Sequence, residues 1–171
     1  MIGLKRGIVK LVNHDKKWSS LFEKEKKRLL QGLKESEIKI EHVGSTAIAG
    51  IKAKPVIDIA YGVASMKDYK KHMRALEKAG YVWRPGLGRV DQHLVFAKGN
   101  DKTRTHYLHL MKKGGKAWNY HVFFRDYMRT HKQAAKKYEQ IKMKSMSNFS
   151  KNRKLYQKQK NSFIERLIAK M

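Results

Sequence analysis

The residues whose types and spacing can do chemistry are concentrated in one stretch, Glu41-His-Val-Gly-Ser-Thr-Ala-Ile-Ala-Gly-Ile-Lys-Ala-Lys-Pro-Val-Ile-Asp-Ile-Ala60. Gly44, Ser45 and Thr46 follow a short apolar run. Glycine lets backbone approach a ligand, and hydroxyls beside the amides of a following helical turn suit a phosphate. Asp58, thirteen residues beyond Ser45, stands among Val56, Ile57 and Ile59. A carboxylate in such surroundings is costly to bury unless it is paired, hydrogen-bonded or bound to a metal ion. An ordinary strand-to-helix turn would explain the glycine alone, and a core hydrogen bond the aspartate alone. Together, at this spacing, they read as a site.

Four cations could surround that site. Lys54 precedes Pro55 at the entrance to the aspartate strand, where an ammonium can reach a phosphate. Arg104 opens a later strand. Arg125 and Arg129 are one helical turn apart on one face, a repulsive pair unless an anion sits between them or Asp126 neutralises one. Those two outcomes are a clamp for a phosphate or acidic substrate, and a salt-bridged helix face. His106 and His109 are three apart in a predicted strand, so they point to opposite faces and cannot share a metal without a bulge. His109 reads as a polar site residue on the face of Thr105 and Tyr107, and His42 as a histidine bonded to backbone just ahead of the glycine turn.

The elements that must position these residues are legible in outline. Trp18, Leu21, Phe22, Leu29, Leu30 and Leu33 recur at helical spacing, predicting a helix from Trp18 to Glu35. Ile38, Ile40 and Val43 predict a first strand. The nearly continuous apolar run Pro55 to Val63 predicts a strand buried on both faces. Met66 to Ala79 reads as a helix stopped by Gly80. Arg89 to Lys98 and Thr103 to Met111 read as strands joined by the turn Gly99-Asn100-Asp101. From Lys116 onward the chain reads as helices, broken near His131 and near Ser145–Asn148. This order predicts an α+β fold, a mixed sheet flanked by helices with a helical C-terminal segment. One domain over residues 1–171 accommodates it, 1–115 forming helix and sheet and 116–171 a basic helical part.

Charge and composition set limits on function. The 171 residues carry 40 Lys+Arg against 14 Asp+Glu, a net charge of +26, and no cysteine. Disulfide and thiolate-metal chemistry are excluded, so any metal is expected to be a hard ion on oxygen ligands. No window approaches the roughly 20 apolar residues of a membrane span, and the N-terminus lacks a signal-like apolar run. A cytoplasmic protein without membrane contact is expected. The tail from Thr130 to Met171 has 12 basic residues against Glu139 and Glu165. Such density suits RNA, but Lys outnumbers Arg 30 to 10, and Arg is the residue of bidentate phosphate recognition. RNA binding through the tail and plain compositional bias therefore both remain open.

Glu41-His-Val-Gly-Ser-Thr followed by Ala53-Lys-Pro-Val-Ile-Asp-Ile resembles the signature of the GrpB-like proteins, a branch of the nucleotidyltransferase superfamily with the polymerase-beta-like fold. The resemblance extends over essentially the whole chain. It includes Trp18 and its helix, Gly80-Tyr81, Phe96-Ala-Lys-Gly99, Arg104-Thr-His-Tyr-Leu-His109 and Phe124-Arg-Asp-Tyr-Met-Arg129. The spaced Tyr138, Lys142, Tyr156, Lys160 and Phe163 of the tail fit as well. It implies a nucleoside triphosphate held by the Gly44-Ser45-Thr46 turn, with Mg²⁺ at Asp58. Superfamily members carry two carboxylates in an Asp-x-Asp arrangement, because alternate strand residues face the same metals. This chain has Asp58 but Ala60, and Ala49 where a proline is expected before Gly50. Asp58 alone does not rebuild the two-metal clamp unless another residue takes the place of the second carboxylate, with Glu41, Asp91 and His109 as candidates.

Two functional readings follow, with a purely structural one behind them. In the first, the chain transfers a nucleotidyl group to a small-molecule or RNA acceptor. Asp58 is then catalytic and metal-binding with Glu41, and Gly44, Ser45, Thr46, Lys54, Arg104, His109, Arg125 and Arg129 bind substrate phosphates. In the second, the fold is a nucleotide- or RNA-binding module that has lost catalysis along with the second carboxylate.

Overall fold

The computed structural model describes residues 2–5, 7–31, 38–88, 93–100, 102–149 and 153–169. Its core is a six-stranded mixed sheet. The strands are β1 (Leu4–Lys5), β2 (Lys39–Val43), β3 (Ile57–Val63), β4 (Val82–Trp83), β5 (His93–Gly99) and β6 (Thr103–Lys112). Their order is β2-β3-β6-β5-β4, with β1 pairing the start of β6. Only β3 and β6 run parallel; the other pairs are antiparallel. The parallel pair is central, and β3 is buried along its length except at Asp58, which is half-buried. Asp58, expected to be buried with its apolar neighbours, is instead partly open to solvent, its side chain 34% exposed.

Helices cover both faces. α1 (Lys17–Gln31) and α2 (Tyr69–Lys78) pack on one side, where Trp18, Phe22, Leu29 and Leu76 join Ile57, Ile59, Tyr61, Phe96, Leu108 and Leu110 in the main core. α1 uses a stripe at helical spacing, and each large side chain buried there contributes about 1.5–3 kcal/mol. The other side receives α3 (Lys116–Thr130), whose Trp118 packs on Val43, Ala60 and Met111. Gly62 makes this approach feasible, since a Cβ there would lie 2.5 Å from the Trp118 ring. α4 (Lys132–Phe149) and α5 (Arg153–Ile168) pack beside α3 through Phe124, Met128, Ala135, Tyr138 and Ile164, a cluster that also takes in Ile48 and Ile51. No helix among the described residues is long and apolar enough to cross a membrane.

The predicted elements are present with adjusted ends. The predicted end of the first helix at Glu35, the start of a strand at Arg89 and the turn residue Asp101 lie outside the described residues. The three expected C-terminal helices are present: α3 and α4 part at His131, and the break expected near Ser145–Asn148 falls just after it, α4 ending at Phe149 and α5 beginning at Arg153, with Ser145 fully buried in α4. β1 and β4, two residues each, are too short for any periodicity to announce them.

Candidate functional site

Sheet register assembles the site. Paired residues in neighbouring strands share a face, so Glu41, Ala60 and His109 stand in one row across β2, β3 and β6. Val43, Asp58 and Tyr107 form the next row. This is the α3 side of the sheet. A cleft of about 1010 Å³ opens there, near the upper end of the usual size for a small-molecule site.

Gly44 lies at the cleft's floor with φ 69, in the left-handed region that glycine tolerates. A Cβ on it would collide with the Asp58 carboxylate, its Cβ being 2.9 Å away. The glycine is therefore required both by backbone conformation and by the close approach of Asp58. The chain then turns through a single 3₁₀ turn, Ser45–Ala47. Ser45 Oγ lies 3.4 Å from Tyr138 Oη. Thr46 is 2% exposed, bonded to His42 Nε2 at 3.0 Å and donating to the Val56 carbonyl at 3.4 Å. It acts as a strut that holds the turn. His42 stacks on Phe22, and burial pushes its imidazole down to about 4.

The cleft brings together Gly44, Ser45, Thr46, Lys54, Asp58, Arg104 and His109 of the residues singled out above. His109 Nε2 lies 3.9 Å from Asp58 Oδ1. Arg104 Nη1 donates to the Asn100 carbonyl at 2.8 Å. Glu41, Arg125 and Arg129 do not line the cleft. Arg125 Nη1 donates to Glu41 Oε2 at 2.7 Å and to the His42 carbonyl at 3.1 Å, and its Nε and Nη2 grip Asp126 at 2.7 and 3.1 Å. Burial disfavours the guanidinium's charge, but its bonds to Asp126 and Glu41 outweigh that and hold its pKa above the usual value. Arg129 Nε caps the Ala47 carbonyl at 2.9 Å. Of the two outcomes for this arginine pair, the structure contains the salt-bridged face, extended to β2 and to the glycine turn. Asp91 lies outside the described residues.

Sequence reasoning missed two groups. One is a trio of histidines: His109 packs against His121 (ring centroids 4.7 Å apart) and His93 (5.6 Å), drawing on β6, α3 and β5. Burial, and the nearby His109, lower His93 to about 4. No spacing along the chain could announce a cluster built from three separate elements. The other is the seam between α4 and the loop after the glycine turn. Lys52 N–H donates to Glu139 Oε1 at 2.6 Å, and the buried Lys142 donates to the Lys52 carbonyl while lying over the Tyr138 ring. Tyr138 and Lys142, noted only as part of the tail pattern, thus lock the turn from above.

With this geometry in place, comparison with known proteins is informative. The family model described as "GrpB protein" matches residues 8–170. The "Glutamate-rich protein GrpB" of Alkalihalophilus pseudofirmus is 38% identical over 175 residues, covering 100% of both chains. The crystal structure of the conserved protein GrpB from Enterococcus faecalis superposes with a TM-score of 0.76 at 26% identity, over 92% of this chain and 99% of that one. The Cid1 poly(U) polymerase, in a crystal structure with Mg 3'-dATP bound, matches with a TM-score of 0.52 at 11% identity. That match covers 81% of this chain and 43% of the polymerase, a likeness of fold alone.

Proposed function

The chain belongs to the GrpB protein family, and from that premise we propose that it binds a nucleoside triphosphate over Asp58 and transfers a nucleotidyl group to an acceptor. The observation that carries this reading is the contact between Gly44 and Asp58 at the floor of the cleft. A nucleotidyl-transfer site needs bare backbone for phosphate oxygens and a carboxylate beside it to hold their counter-ion. The shared fold of a nucleotide-polymerising enzyme is consistent with it.

The donor set fits one metal ion and not two. Asp58 is the only carboxylate lining the cleft among the described residues. A Mg²⁺ on Asp58 would keep most of its waters, accept phosphate oxygens and neutralise their charge. The chain's own residues supply the rest. Gly44 admits a phosphate close to the main chain, and Ser45 offers a hydroxyl. Lys54 and Arg104 balance the leaving phosphates, and the aromatic rings of Tyr107 and Tyr120 offer faces to a base.

A second reading, binding without turnover, is favoured by Ala60. The residue on the same face as Asp58 is a methyl group, and its neighbour Glu41 is bonded to Arg125. RNA binding through the basic tail belongs to this reading. Thermal shift with each nucleoside triphosphate, with and without Mg²⁺, separates the two. Metal-dependent stabilisation that disappears in Asp58→Ala supports the transferase-type site. Stabilisation by RNA alone, unchanged in Asp58→Ala, supports the binding module.

A further inference from the structure

Asp58 does not face the cleft alone, and its neighbour bears on which ion it takes; this step rests on the reading of the cleft just given. In the row across the sheet, Ala60 lies between Glu41 and His109. Either neighbour could replace the missing carboxylate. Glu41 is already engaged, with Arg125 at 2.7 Å and Lys39 at 3.4 Å, and lies outside the cleft lining. His109 lines the cleft, and its Nε2 is 3.9 Å from Asp58 Oδ1.

That separation is too long for a hydrogen bond. It suits an ion held by both groups, since two bonds of about 2.1 Å to nitrogen and oxygen reach at most about 4.2 Å. Other contacts hold the imidazole in place. His93 and His121 pack against it, and its Nδ1 is buried with no hydrogen-bond partner among the described residues, so none of their bonds turns Nε2 away from Asp58. No group of three or more histidine or carboxylate side chains among the described residues is placed to hold a metal. The described residues therefore offer two donors, and the remaining positions fall to water and phosphate oxygens.

We propose that Asp58 and His109 together hold one divalent transition-metal ion, of the class that accepts mixed oxygen and nitrogen ligands, in preference to Mg²⁺. Mg²⁺ demands oxygen and sheds water reluctantly, whereas imidazole is a ready ligand for first-row transition ions. Mn²⁺ is the probe of choice because its electron spin reports its ligands.

The experiment is a Mn²⁺ titration of the nucleotide-free full chain followed by electron paramagnetic resonance, with Mg²⁺ competition. The expected result is Mn²⁺ bound at least about tenfold more tightly than Mg²⁺, and at least about tenfold more weakly in His109→Gln. Pulsed measurements on the wild-type protein should show imidazole ¹⁴N coupling to the bound ion, a readout that needs no variant to fold. Loss of that coupling in His109→Gln would assign it. Absence of Mn²⁺ binding, bound Mn²⁺ without nitrogen coupling, or coupling that survives in His109→Gln overturns the proposal. A Mg²⁺-dependent response to triphosphate without nitrogen-coupled Mn²⁺ sinks this inference and leaves the proposed function standing. Nitrogen-coupled Mn²⁺ with no response to any triphosphate does the reverse.

Discussion

Arg125 Nη1 donates to Glu41 Oε2 at 2.7 Å, joining the helix above the sheet to the strand beside Ala60. The same guanidinium holds Asp126 and the His42 carbonyl. With its side chain only 9% exposed, it is a structural ion pair of the kind that is costly to break on one side. Arg125→Met should destabilise the protein by about 3 kcal/mol, read from urea denaturation. Arg125→Lys should recover little, because an ammonium cannot reproduce the planar fork. A double-mutant cycle with Glu41→Gln should show coupling, and a loss below about 0.5 kcal/mol for Arg125→Met would mark the pair as no better than a surface contact.

Gly44→Ala is expected to be damaging on two counts. That backbone, φ 69 with ψ −170, lies in a region essentially confined to glycine and costs a residue with a Cβ about 1–3 kcal/mol, and the Cβ meets the Asp58 carboxylate. The thermal midpoint should fall, and any response to triphosphate should vanish even in the fraction that stays folded. A Gly44→Ala protein that binds triphosphate like wild type would remove the glycine turn from the site.

Acid should begin to destabilise the fold well above the ordinary carboxylate range. Burial lowers His42, His93 and His106 to about 4, against an ordinary value of 6.5. Between those values the unfolded chain binds protons that the native protein refuses, so stability rises with pH across the window and is lost on acidification. Glu25 acts at the acid end of that window and below it. Burial would raise its carboxyl, but the bonds and charge of Lys98 outweigh that and hold it below the usual value. Its contribution is present above the unfolded value and lost as pH falls through the folded one. The melting temperature should drop steadily from pH 6.5 toward about 4, less steeply in His106→Gln. A flat profile across that window would contradict the assignment of neutral, buried imidazoles.

The seam between α4 and the glycine loop predicts a local effect. Lys142→Ala removes the donor to the Lys52 carbonyl and the stem that covers Tyr138. It should cost about 2 kcal/mol and speed hydrogen exchange of the amides in residues 45–54 more than in β3 or β6. A uniform change across the protein would mean that Lys142 supports the bundle alone and not the turn.

Much of this arrangement is legible in the chain because local rules agree with the fold. The apolar run into Val63 is the central strand. Gly80, at φ 81, ends its helix with amide bonds from Gly80 to the Glu77 carbonyl and from Tyr81 to the Leu76 carbonyl. The pairing of Gly44 with Asp58 was readable as two unusual residues at a fixed distance. What could not be read depends on partners far apart in sequence. The pairing of Arg125 with Glu41, the bond of Thr46 to His42, and the gathering of His93, His109 and His121 are set by strand register and the placement of α3. Ser145 shows the same limit at a single position: it lies within α4, ahead of the break, and is fully buried there, since tertiary contacts outweigh its weak preference to leave the helix.

On the proposed function, Asp58 and the glycine turn hold a nucleotide through a metal ion. Isothermal titration of the wild-type protein and of Asp58→Asn with a non-hydrolysable nucleoside triphosphate, in the presence and absence of divalent ion, tests it most directly. Binding that requires the ion and is lost in Asp58→Asn is the predicted result. Binding that ignores both the ion and the substitution, or no binding of any triphosphate to the folded wild-type chain, would contradict it.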